Sequence, residues 1–173
     1  MDTYLKRLRD AITSATADMN AEALTRHPEG KWSTAQVLEH LYLSYSGTVR
    51  GFERCLEAGK PLARAPMLKD RMSAFVVTEL GYLPAGRQAP ERTRPRGMAV
   101  DEITRGIAPQ ILAMDEVIAQ CEARFGKRTL LLDHPVLGPL TARQWRKFHL
   151  VHGRHHLKQI KKLRRQGKGS DPS

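Results

Sequence analysis

The stretch "FHLVHGRHHLKQI", residues 148–160, decides the fold, because its apolar and histidine positions repeat with the period of a helix. At about 100° per residue, His156 lies about 20°, Trp145 and Leu163 about 40°, His152 about 60° and Gln159 about 80° to one side of His149. All share one stripe about 100° wide, the width of a surface that faces a core. His155 falls just off it, at about 120°. Arg154, Lys158, Lys161 and Arg165 point elsewhere. Three histidines therefore occupy the face with the fewest charges, where an imidazole without a partner is costly.

His152 and His156 are related by i,i+4, which stacks their rings one turn apart so that their nitrogens can converge on one ion. A third ligand is expected from another helix. His40 is the candidate, within "WSTAQVLEHLYLS", residues 32–44, on a face shared with Gln36, Val37, Leu43, Ser44 and Gly47. A lone inward histidine is usually a hydrogen-bonded core residue. The pair, the inward third histidine and a bundle of helices together point to a divalent metal held by His40, His152 and His156. His149 reads either as a fourth ligand or as a pocket residue beside the ion. Gln159, about one turn beyond His156, can orient a ligand or a bound water. His27 and His134 read as loop residues.

Outward from this helix, helical periodicity dominates and strand signals are scarce. Leu5, Leu8, Ile12, Ala15 and Met19 mark a first helix over roughly Asp2 to Leu24. "RHPEGKWST" breaks it, and Ser33 or Thr34 caps a second helix that runs to about Ala58, before Gly59 and Pro61. From Pro61 to Gly97, five prolines and a run of arginines describe a long crossover. Leu68, Met72, Phe75 and Val76 have the spacing of a short helix inside it. Such a connection usually crosses the molecule or borders a site. A third helix carries Ile107, Ile111, Met114, Ile118 and Cys121, with Pro109 as a kink or as its start, and Gly126 as its end. "DHPVLGPL" reads as a loop, and Thr141 with Gln144 forms a capping box for a fourth helix to about Gln166. The expectation is an all-α four-helix bundle, up-down-down-up, formed by a single domain over 1–166, with 167–173 a flexible basic tail.

With 173 residues, 40% of them hydrophobic and 27% charged, the chain has the composition of one soluble globular domain. No apolar run approaches the length of a bilayer span, so no membrane partner and a cytoplasmic location are expected. Cys55 and Cys121 are too few for a disulfide framework and read as reduced core thiols. The net charge of +11 favours anionic partners, and it is concentrated: residues 141–173 hold ten Lys or Arg and one acid, Asp171.

"KWSTAQVLEHL" and "VHGRHHLKQI" resemble the two signatures of the DinB-like (YfiT-like, damage-inducible) four-helix bundle superfamily. "HPVLGPLTARQWRKFHLVHGRHHLKQI" resembles an uncharacterised subgroup of it. The resemblance implies a divalent metal on a helix-two histidine and a helix-four HxxxH pair, here His40, His152 and His156. It also implies frequent homodimers and, in some members, transferase activity with a low-molecular-weight thiol.

Two functions follow. The first is a metal-dependent enzyme, a transferase or hydrolase acting on a small molecule. Three imidazoles leave a coordination position open, and zinc or nickel suits them equally. Arg87, Arg92, Arg94 and Arg96 either border the pocket and hold an anionic group or belong to a solvated loop. Glu39 and Asp115, the nearest acids, read as exposed or paired residues rather than bases. The second is a non-enzymatic basic helical module that binds nucleic acid or another anionic partner. Aromatic residues for stacking are few, at 6%, and no recognition-helix motif stands out.

Overall fold

The computed structural model describes residues 1–27, 29–83 and 88–168, with side chains through Arg165. Arg87 and most of the 167–173 tail therefore lie outside the described residues. The chain is mostly helical: α1 (Thr3–Thr16), α2 (Ala21–Thr25), α3 (Thr34–Ala58), α4 (Leu68–Thr78), α5 (Val100–Phe125) and α6 (Ala142–Lys168). A hairpin of β1 (Leu130–His134) and β2 (Gly138–Thr141) precedes α6, and a 3-10 turn covers Glu91–Thr93.

The expected first helix is two. α1 buries Leu5, Leu8, Ile12 and Ala15, then closes as the Thr16 hydroxyl donates back to the Ile12 carbonyl. Asn20 starts α2 by accepting from the Ala23 amide at 2.9 Å. α3 has the expected start and stop. Ser33 and Gln36 exchange side-chain and backbone bonds in a capping box, and Gly59 ends the helix at φ +65°. α5 begins at Val100, so Pro109 lies inside it.

"DHPVLGPL" is not all loop. Its flanks pair antiparallel, with Leu132 opposite Leu140 and His134 opposite Gly138. The strands are five and four residues long, and Pro139 is tolerated because both strands are edges. Leu131, Leu137 and Leu140 are buried, and the Trp145 indole donates to the Leu132 carbonyl at 3.2 Å. The Thr141–Gln144 capping box then opens α6 as expected.

α3 packs along α5, and α1 packs along α6. Tyr45, Phe52, Ile111, Met114 and Ile118 fill the centre of the shared core. Gly153 allows α1 to approach α6 closely, because a Cβ there would overlap the Leu8 side chain. Both acids considered from sequence are buried and paired. Asp115 accepts from the Asp2 amide at 3.0 Å and lies 3.7 Å from Arg146, which also bonds Glu122 at 2.7 Å. Glu39 accepts from the Arg96 and Gly97 amides at 2.6 and 3.2 Å, fastening the crossover to α3.

α4 forms where the spacing predicts, but with its apolar side turned outward. Asp70, Ala74, Val77 and Thr78 are buried, while Leu68, Met72 and Phe75 are 75%, 63% and 56% exposed. Asp70 sets this orientation. Its carboxylate accepts from Arg64 at 2.7 Å and from the Met67 amide at 2.9 Å, and it lies against Gly138 of β2.

Candidate metal centre

His40 is on the second turn of α3, and His152 and His156 are one turn apart on α6. The structure brings the three together, with one ligand atom of each within 4.8 Å of the others. The Nε2 atom of His152 lies 3.2 Å from that of His40 and 3.0 Å from that of His156. Nitrogens bound to one tetrahedral zinc at about 2.0–2.1 Å stand about 3.3 Å apart, so the spacing fits a shared ion.

Proton placement sharpens the point. His40 Nδ1 lies 2.8 Å from the Thr93 carbonyl, which can only accept, so the proton is on Nδ1 and Nε2 is a bare lone pair. His156 Nδ1 donates to Gln159 Oε1 at 2.8 Å, while the Gln159 amide nitrogen faces His155 at 3.3 Å. His156 Nε2 is therefore bare as well. A single proton on His152 Nε2 bridges to one of these neighbours and leaves lone pair against lone pair at the other. Adding protons is no remedy, because burial depresses all three histidines. His156 is lowered to about 4, His40 is lowered by burial despite its bond to Thr93, and His152 is lowered well below the ordinary range by burial and by its histidine neighbours. A divalent cation satisfies all three nitrogens at once, in the neutral form that metals require.

The surrounding contacts hold the rings in place. Phe148 stacks on His152 with centroids 5.3 Å apart and planes 11° apart, and Trp32 tilts over His40 at 5.4 Å. His40 and His156 are nearly fully buried, and His152 is half-buried, leaving one ring partly open to solvent.

His149 is set apart from this group. Its Nε2 bonds the Thr48 hydroxyl at 3.0 Å, and the ring stacks on Trp145 and meets Tyr45 edge-on. Burial pushes it down to about 3. It is a core residue one turn before His152, and its fully buried Nδ1 has no hydrogen-bond partner among the described residues. His134, read as a loop residue, ends β1 and lies 4.2 Å from Phe148 between ring centroids. Of the crossover arginines, Arg94 pairs with Glu91 at 2.9 Å and Arg96 contributes its amide to Glu39. Arg92 lines an open groove of about 560 Å³ with Pro90, Glu91, Asp133 and Pro135. Three contributors escaped the sequence reading. The Thr93 carbonyl carries no residue signature; Phe148 carried one, its i,i+4 relation to His152; Trp32 is set only by the turn before α3.

Residues 2–163 match the family described as a protein of unknown function, DUF1569. The chain belongs to that family. The match runs from ahead of α1 to Leu163 on α6, so all three clustered histidines lie within the DUF1569 span. No curated protein and no solved structure matches the chain.

Proposed function

We propose that this DUF1569 chain is a divalent-metal-dependent enzyme of the DinB-like kind, built as an up-down-down-up four-helix bundle of α1, α3, α5 and α6. His40, His152 and His156 would hold zinc or nickel through Nε2. The observation that carries this reading is the convergence of three Nε2 atoms, two of them stripped of protons by their own Nδ1 bonds. When bound, the ion supplies Lewis acidity that lowers the pKa of a coordinated water or thiol.

The chain's own residues define the rest of the site. Thr93 and Gln159 fix the tautomers and orientations of His40 and His156, as partners of metal-bound imidazole commonly do. Phe148 covers one face of His152 and Trp32 leans over His40. No fourth His, Cys, Asp or Glu joins the cluster among the described residues, and a closed structural site normally has four protein ligands. This favours a reacting centre over a structural staple. A small-molecule substrate with a low-molecular-weight thiol, thiol transfer and a homodimeric assembly complete the proposal, on the resemblance of the α3 and α6 motifs.

Cobalt substitution tests it. The visible spectrum of the cobalt protein should shift when azide or a small thiol is added. A spectrum indifferent to every such addition in the wild type, yet responsive after His149→Ala, would mean that four histidines close the site and would defeat the enzyme reading.

A further inference from the structure

Along α6, Lys147, Arg154, Lys158, Lys161 and Arg165 fall within about 60° of one another around the helix axis. Their surroundings differ along its length. Lys147 is covered: it pairs with Glu79 just after α4 and lies under the Tyr4 ring of α1. Beyond that roof Arg154, Lys158, Lys161 and Arg165, with neighbouring Lys162, are exposed, and among the described residues none of these makes an ion pair. From Ala142 to Arg165, α6 contains no carboxylate side chain to neutralise them.

The roof sets the orientation of α4. Because the end of α4 meets Lys147, α4 lies on the side of α6 toward which the basic stripe points. Its inner side, Asp70 and Val77, is buried, so its outer side points away from the core, as the stripe does. That outer side is Leu68, Met72 and Phe75, each more than half exposed. The row of free cations begins at Arg154, about 10 Å along α6 past the contact with α4, and continues to Arg165, about 27 Å past it.

We propose that this side docks on an anionic lipid surface, with Leu68, Met72 and Phe75 inserted among the headgroups and Arg154, Lys158, Lys161, Lys162 and Arg165 on the headgroup anions. Interfacial binding combines buried apolar area with attraction to anionic lipid, and both components are present. A nucleic acid would use the stripe but offers its backbone no place for three aliphatic and aromatic side chains, and the stripe has no aromatic residue for base stacking. A second copy seated on this side would set two rows of free cations against each other, so the homodimer proposed above would use another face. Among the described residues no helix is long and apolar enough to cross a membrane, so the docking departs from the expectation of no membrane partner only as a surface contact.

The test is co-sedimentation of the full chain with vesicles of phosphatidylcholine alone and of phosphatidylcholine with about one-third phosphatidylserine. Binding should appear only with the anionic vesicles and weaken with salt. Each cation near such a surface contributes about fivefold, so Lys158→Gln, Lys161→Gln and Arg165→Gln together should weaken binding on the order of a hundredfold. Leu68→Gln, Met72→Gln and Phe75→Ser should weaken it while leaving its salt dependence in place. All six positions are exposed, and circular dichroism checks that the variants remain helical. No binding to anionic vesicles overturns the proposal. So does an apolar-variant affinity equal to wild type, duplex DNA bound more tightly than the vesicles, or a wild-type dimer that the apolar variant dissolves.

Discussion

Gln159→Ala separates metal affinity from folding more cleanly than any ligand mutation. Gln159 is exposed, and its chief role is to accept the His156 Nδ1 proton at 2.8 Å. Removing that acceptor frees the ring to rotate and allows the proton to move to Nε2, the atom aimed at His152. Second partners of metal-bound histidines typically account for 10–100-fold in affinity, about 1.4–2.7 kcal/mol. An exposed helical Gln→Ala change otherwise alters stability by roughly 0.5 kcal/mol or less. Zinc affinity, measured by competition with a chromophoric chelator, should therefore fall 10–100-fold while the metal-free protein melts within a degree or two of wild type. Gln159→Glu keeps the acceptor and adds a charge, so it should bind at least as tightly as wild type. Equal affinity in the wild type and Gln159→Ala would show that His156 does not present Nε2 to an ion, and the tautomer argument would fail with it.

The other expectations concern the ligands, the helix contact and pH. His152→Ala with His156→Ala should abolish stoichiometric metal in protein purified without a nickel column; full occupancy in that double variant would remove the site. Lys158, Lys161 and Arg165 face away from the cluster, so neutralising all three should leave metal content unchanged by elemental analysis. Gly153→Ala would gain up to about 1 kcal/mol of helix propensity but lose roughly 1–3 kcal/mol to overpacking against buried Leu8. The net is a melting point several degrees lower, and an unchanged or raised one would mean that α1 can withdraw freely from α6. Burial lowers His149 to about 3 and, with nearby Arg92 adding to it, His134 to about 4. Both folded values lie below the unfolded value near 6.5, so the unfolded chain binds more protons in between. Their contribution is fully present above about pH 6.5 and is lost as pH falls toward 4 and then 3, by up to about 1.4 kcal/mol per pH unit per histidine. Urea midpoints of the metal-free protein should track that fall, and a flat profile from about pH 7 to about pH 4 would refute it.

The long helices and the three histidines were legible because each rests on a local repeat. The i,i+4 pair on α6, the Ser33 or Thr34 cap of α3 and the capping box of α6 need only a few adjacent residues to be read. The hairpin was hidden because its strands are short, carry a proline and gain their register from packing on Trp145 rather than from alternation. α4 misled on orientation. Its apolar spacing was correct, but a single carboxylate, Asp70, bound to Arg64 and lying against Gly138, turned that face to solvent.

Glu39 and His40 are consecutive on α3, and each grips the crossover, at Arg96–Gly97 and at Thr93. Only Arg94 and Pro95 separate Thr93 from Arg96, so the chain between these anchors is short. Insertions and deletions can accumulate before Pro90, ahead of both anchors. Removing one residue between Thr93 and Gly97 would force a choice between the carboxylate and the imidazole. Length variation among related chains should therefore stop abruptly at this short stretch, however freely its side chains drift.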